Sequence, residues 1–244
     1  MIHAALNGLE GSLPEAVAHV RHYLGGSGAE YPVNVKKMHN EVPSAQLNFE
    51  TEYDEAMRFA ESLQDGSHSI TSSQTTAGYN GQNESLNWFL AVGGYQYWGK
   101  GPVTICRGNS NHNRLGGFEF QMTFSFKVSD QYNWNPGQSV FHGLIPDEFL
   151  GKFHLMGLAQ EFPLRGLRTI TLRWNEGGEP EITEGLLPSG TGSVSGGATS
   201  QGGSIDSIPF PIPNIVNQPL PGSPVSPGLF PIDGGVGVGI IWNY

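Results

Sequence analysis

An α+β fold is what this sequence predicts, and three observations predict it. Glycine (35) and proline (17) exceed a fifth of the 244 residues while charged residues are only 14%, a balance that favours strands and turns over long helices. Helix-period stripes are concentrated in the first 66 residues. Beyond them the period shortens to strict alternation, most clearly between Phe118 and Val128. The reading is of N-terminal helices packed on an antiparallel β-sheet, with an extended Gly/Pro-rich C-terminal tail. Residues 1–66 form the helical part, 67–185 the sheet with one helix in the same domain, and 186–244 the tail.

Taken in order, Ser12 is expected to cap a helix with Pro14 in its first turn. Val17, Val20 and Leu24 then recur at 3- and 4-residue spacing until Gly25-Gly26. Residues 31–43 (YPVNVKKMHNEVP) read as an extended connection. A second helix is expected from Thr51, with Asp54 as a capping-box variant and Tyr53, Met57, Ala60 and Leu63 on one stripe. His68, Ile70 and Ser72 alternate weakly. Leu86 to Trp98 reads as an apolar strand interrupted at Gly93-Gly94, and Val103 to Cys106 as a short β segment. Phe118, Phe120, Met122, Phe124, Phe126 and Val128 alternate with polar residues, as do Ile170, Leu172 and Trp174. The tail joins a Gly/Ser/Thr linker to a proline-rich run and ends in GGVGVGIIWNY.

Charge limits the function classes. The formal net charge is −10, and no Lys or Arg follows Arg173. Nucleic-acid binding draws on cations that meet phosphates, so a general DNA or RNA binder is not expected. Cys106 is the single cysteine, which excludes an internal disulfide, and it reads as a half-buried strand residue. The first 25 residues hold no basic stretch followed by an apolar run, so no cleavable signal peptide is expected. No segment reaches the ~18–20 apolar residues of a membrane span.

The candidate site lies between Asp130 and Glu161. Asp130, Tyr132, Asn133, Trp134 and Asn135 follow the strongest strand, and such Asx-rich turns also serve plain turn chemistry. A helix from Pro146 carries Asp147 and His154 seven residues apart, and Glu161 is expected on the same face. His142 lies between turn and helix. Catalytic roles are assigned to His154, Tyr132, Asp147, His142 and Glu161, because imidazole, phenol and carboxylate are the groups that carry protons. Substrate-binding roles fall to Asp130, Asn133, Trp134, Asn135 and Arg165, with Arg168 the second arm of an anion clamp. No metal-ligand signature, phosphate loop or nucleophile elbow occurs, so no cofactor or metal is assigned.

The segments HYLGGSG (22–28), NWFLAVGGYQYWGKGPVT (87–104), DQYNWNPGQSV (130–140), DEFLGKFHLMGLAQEF (147–162) and TLRW (171–174) resemble a family of bacterial secreted, polymorphic-toxin-like C-terminal domains. The resemblance spans roughly 22–174 and carries no assigned reaction. It implies an effector acting on a neighbouring cell and secretion without a cleavable leader, the cytoplasm being the other location. The alternative is a non-enzymatic assembly protein that self-associates or docks on a partner through residues 205–244, its last strand adding to a neighbour's sheet edge.

Overall fold

The computed structural model describes residues 2–77, 84–108, 115–134, 147–185 and 239–242. Its helices are α1 (Ile2–Leu9), α2 (Pro14–Leu24), α3 (Val35–Glu41), α4 (Pro43–Glu61), α5 (Leu86–Ala91) and α6 (Asp147–Leu155). Its strands are β1 (Tyr31–Val33), β2 (Gly66–Ser72), β3 (Thr75–Ala77), β4 (Tyr95–Ile105), β5 (Phe120–Tyr132), β6 (Phe162–Trp174), β7 (Glu181–Glu184) and β8 (Gly239–Trp242). They make one sheet in the order β1-β6-β5-β4-β2-β8, with β3 on β4 and β7 on β6. The fold is α+β, as the alternation predicts. Its centre is antiparallel, but β1 pairs with β6 and β8 with β2 in parallel, so the sheet is mixed.

Even-numbered residues of β5 from Phe120 to Val128 are buried, each at most 1% exposed, and meet the helix layer. The odd-numbered ones keep Thr123 exposed and the others half-buried. Each fully buried Phe or Met contributes roughly 1.5–3 kcal/mol relative to exposure. Helix α4 lies across β2, β4 and β5, and α3 lies on β6. The buried Glu52 of α4 accepts a 2.9 Å bond from Ser72 Oγ, which in turn accepts from the Gly99 amide at 2.9 Å. A carboxylate inside the core therefore joins α4 to β2 and β4.

Arg168 is a second polar tie under the helices. Its guanidinium contacts His39 Nδ1 at 2.9 Å, Gln46 Oε1 at 3.1 Å and Glu184 Oε1 at 2.7 Å, and stacks 4.1 Å from the Phe49 ring centre. Burial and this neighbouring cation push the His39 imidazole down to about 3, so it stays neutral and its Nδ1 accepts.

Several expected elements differ. Ser12 does not cap α2; its hydroxyl donates to Leu9 O at 3.1 Å and closes α1, while Leu13 stands at the N-cap with no side-chain bond. The long helix begins at Pro43, well before Thr51, because proline in the first turn starts a helix as readily as it ends an extended segment. Thr51 and Asp54 are interior to it. The expected extended connection holds α3, capped by Asn34 Oδ1, which accepts from the Lys37 amide at 3.0 Å. Val35, Met38 and His39 bury its inner face. Leu86–Ala91 is a helix capped by Ser85, and only from Tyr95 does the chain become a strand; Gly93, at φ 69°, makes the break. Cys106 is half-buried, one residue beyond β4. The described end of the tail pairs in parallel with β2 of its own chain, at the edge of the sheet.

Gly101 faces the helix layer where β4 and β5 approach so closely that a Cβ there would collide with the Thr123 carbonyl. Gly101→Ala is therefore expected to cost about 1–3 kcal/mol through forced strand separation. The check is a thermal melt: a midpoint lower by several degrees supports this packing, and an unchanged one contradicts it.

Candidate functional site

The thirteen-residue strands β5 and β6 end together at the pair Tyr132–Phe162, whose rings stack at 4.8 Å. Trp134 follows, edge-on to Tyr132 at 5.6 Å, and both are buried. Tyr23 of α2 reaches the same corner, 6.1 Å from Tyr132 and 6.2 Å from Trp134. Such aromatic contacts add about 0.5–1.5 kcal/mol each beyond their area, so the corner is a rigid wall.

Helix α6 closes that wall. A Cβ on its Gly151 would stand 3.1 Å from the Trp134 carbonyl, so the helix backbone rests directly on Trp134. The helix ends in a Schellman turn: Leu158 N–H donates to Phe153 O at 2.8 Å and Gly157 N–H to His154 O at 3.0 Å, with Gly157 at φ 69°. The chain returns to α2 through Gln160 N–H, which donates to Tyr23 O at 3.0 Å. Helix α6 stops at Leu155, so Glu161 does not share its face as expected; it lies just before β6, near enough for its charge to act on Tyr23. Burial, reinforced by that carboxylate, pushes the Tyr23 phenol up to about 12, so it keeps its proton.

Two polar atoms in this corner are buried without a hydrogen-bond partner among the described residues: Trp134 Nε1 and His154 Nδ1. Indole N–H is a pure donor, and leaving it unmet costs about 1–3 kcal/mol. Asp130 lies two residues before Tyr132 and, by strand alternation, on the same helix-covered face. Burial pushes its carboxyl up to about 7, against a backbone hydrogen bond at Gln131 and the charge of Arg165. An acid whose carboxyl burial raises thus lies on the strand that leads into the corner, a setting that suits proton transfer.

The structure brings Tyr132, Trp134, His154 and Glu161 together around Tyr23. Asn133 is exposed beside them. Arg165 points away, on the opposite face of β6, where it donates to Ser129 Oγ at 2.7 Å and Leu164 O at 2.9 Å. It cannot form a clamp with Arg168, which faces the helices. Asn135 and His142 lie outside the described residues, as does the side chain of Asp147. Among the described residues no group of three His, Cys, Asp or Glu is arranged to hold a metal, and no helix is long and apolar enough to cross a membrane.

His19 and His22 went unrecognised in the sequence. His19 is buried, edge-on to Tyr31 at 4.6 Å and 5.8 Å from Tyr132. Its Nδ1 lies 2.6 Å from Ala91 O; a carbonyl only accepts, so Nδ1 carries the hydrogen. Burial holds this imidazole below its ordinary value, against the Ala91 bond. His22 packs edge-on to Phe162 at 4.5 Å. The signal was the spacing of His19, His22 and Tyr23, which puts them on one face of α2.

No protein-family model and no curated protein sequence matches the chain. Among solved structures it superposes in part on PaeM, a colicin M-like bacteriocin produced by Pseudomonas aeruginosa, at 14% identity and TM-score 0.31, covering 71% of this chain and 52% of that one. It does so on truncated bacteriocin syringacin M from Pseudomonas syringae pv. tomato DC3000 at 16% identity and TM-score 0.33, covering 68% and 62%. Pectocin M2 gives 16% identity and TM-score 0.30, covering 75% and 59%. The chain spans between half and two-thirds of the length of each. Superpositions this partial carry no residue role and no activity across.

Because the folded state raises Asp130 above the ordinary aspartate value, it favours the protonated form. The stability this group contributes is fully present below pH ~4, near the unfolded value, and is lost as pH rises through about 7. Asp130→Asn is expected to remove that loss. Its melting temperature should exceed the parent's above pH 7 and match it near pH 4; parallel profiles would contradict the assignment.

Proposed function

We propose that the chain is a secreted effector of the toxin-like kind, acting on a neighbouring bacterial cell, and that the corner between β5 and α6 is its site. The observation that carries the site is the pair of buried, unmatched polar atoms, Trp134 Nε1 and His154 Nδ1, beside Tyr132. The large majority of buried polar atoms in folded proteins are matched. A binding corner keeps such atoms unmatched for another molecule. The toxin-like part of the reading rests on the resemblance of residues 22–174 to secreted C-terminal domains, whose quoted segments include both halves of the corner.

In this reading Asp130 and His154 are the proton carriers, Trp134 N–H holds an oxygen of the substrate, and Tyr132 forms the wall. The assembly alternative has less behind it, because no comparison supports it.

Expression in a bacterium, directed separately to cytoplasm and periplasm, tests the proposal. Growth should fail in one compartment only. Losing a proton carrier costs about 10²–10⁴-fold in rate, so His154→Ala and Asp130→Asn should restore growth at unchanged protein level and with a melt no lower than the parent's. Full toxicity from both variants would remove the site assignment, and harmless expression in both compartments would remove the effector reading.

A further inference from the structure

The turn that ends α6 is apolar at its tip. Leu155, Met156 and Leu158 are 83%, 61% and 57% exposed, three large apolar side chains within four consecutive residues. The other exposed large apolar side chains among the described residues, Leu47, Leu86, Leu167 and Ile182, stand singly on α4, α5, β6 and β7. Single exposures of that kind are ordinary, whereas a contiguous group marks a surface that meets something other than water. Phe153 and Ala159, on either side of the tip, pack against the core and hold the turn in place.

Two properties of the turn narrow what it meets. The amides of Met156, Gly157, Leu158 and Ala159 all donate within it, at 3.0 Å to Lys152 O, 3.0 Å to His154 O, and 2.8 and 3.2 Å to Phe153 O. The tip therefore leaves water without stranding a backbone donor, which lowers the cost of entering an apolar phase. From Gly151 to Gln160 there is no Asp or Glu, and Lys152 is the one fixed charge. A lysine at the edge of an apolar tip buries its stem and keeps its ammonium in water. Asp147 and Glu148 lie at the far end of the helix, about 10–12 Å back along its axis. Glu161 lies past the buried Ala159, where the chain has turned back toward α2.

We propose that this turn is a lipid anchor, which inserts Leu155, Met156 and Leu158 into the surface of a zwitterionic bilayer. Three side chains present on the order of a few hundred Å², well short of the ~800 Å² that each partner of a stable protein pair buries. A second copy of the chain, or another folded protein, needs more contact than the tip offers. A bilayer asks for no complementary shape and admits apolar side chains to a depth of about 5–10 Å. The net charge of −10 disfavours an anionic surface, so the attraction is apolar and not electrostatic. Gly151 of the same helix rests on Trp134, so insertion holds the β5–β6 corner close to the lipid.

The test uses the full chain and phosphatidylcholine vesicles, read by co-sedimentation. The chain is expected to bind, with a partition coefficient that added salt does not lower and that replacing part of the lipid by phosphatidylglycerol does. Leu155→Gln and Leu158→Gln should each weaken binding by about tenfold with an unaltered melt, since both side chains are exposed. Leu47→Gln, at the same 61% exposure as Met156 but on α4, should leave binding unchanged. Met156→Trp should strengthen it, and brominated phosphatidylcholine should quench that variant's fluorescence more than the parent's. No binding to phosphatidylcholine, equal loss from Leu47→Gln, a requirement for anionic lipid, release by salt, or a dimer in light scattering that Leu155→Gln dissolves would each overturn the proposal. None of these readouts involves growth or toxicity, so the outcome is separate from the effector reading.

Discussion

The register between β5 and β6 is the constraint on which the rest of this molecule depends. It runs unbroken from Phe120–Trp174 to Tyr132–Phe162. A slip of one residue would turn Phe120, Met122, Phe124, Phe126 and Val128 away from the helices and bring Gln121, Thr123, Ser125 and Lys127 under them. It would also carry Arg168 out of reach of His39 and Glu184. The burial of the phenylalanine row and the ties of the arginine select the same alignment, so the aromatic corner at the end of β5 and β6 is fixed by it.

The two faces of that alignment divide the chemistry. Under the helices Glu52 is tied to Ser72, Trp88 Nε1 to Glu41 at 2.7 Å and Trp174 Nε1 to Glu61 at 3.1 Å, while His39 Nε2 and Arg168 Nε have no hydrogen-bond partner among the described residues. Each indole of Trp88 and Trp174 has a carboxylate, whereas that of Trp134 meets none among the described residues. That contrast within one molecule separates a core tryptophan from one kept for another purpose.

How much of this was legible in the sequence depended on which force sets each element. β5 and β6 were readable because one face is buried and the other wet, and alternation records that directly. α5 was not, since a short apolar run bounded by glycines is compatible with strand or helix, and the Ser85 cap alone gave it away. α3 and the start of α4 were hidden by Pro43. β1, three residues with a central proline, exists through its partner β6, which no local pattern records. Tyr132 and Trp134 stood out because they close the strongest strand, and His154 because it falls on the helix expected after it. Glu161 was placed on a helix that glycine at 157 ends. Arg165 was assigned to the wrong side because its face follows from β6 pairing and not from its neighbours in the chain. His19 and Tyr23 were missed because their stripe on α2 reads as ordinary packing.

The two parallel pairings set an order of events. β1 is made long before β6, and β2 long before β8, so both wait for partners supplied by distant stretches of polypeptide. Contacts of such separation form slowly, since a large loop must close first. A nascent chain emerging from the ribosome therefore gathers its helices early and keeps both margins of its sheet unsealed until late. That interval is when unpaired strand edges are open to other polypeptides.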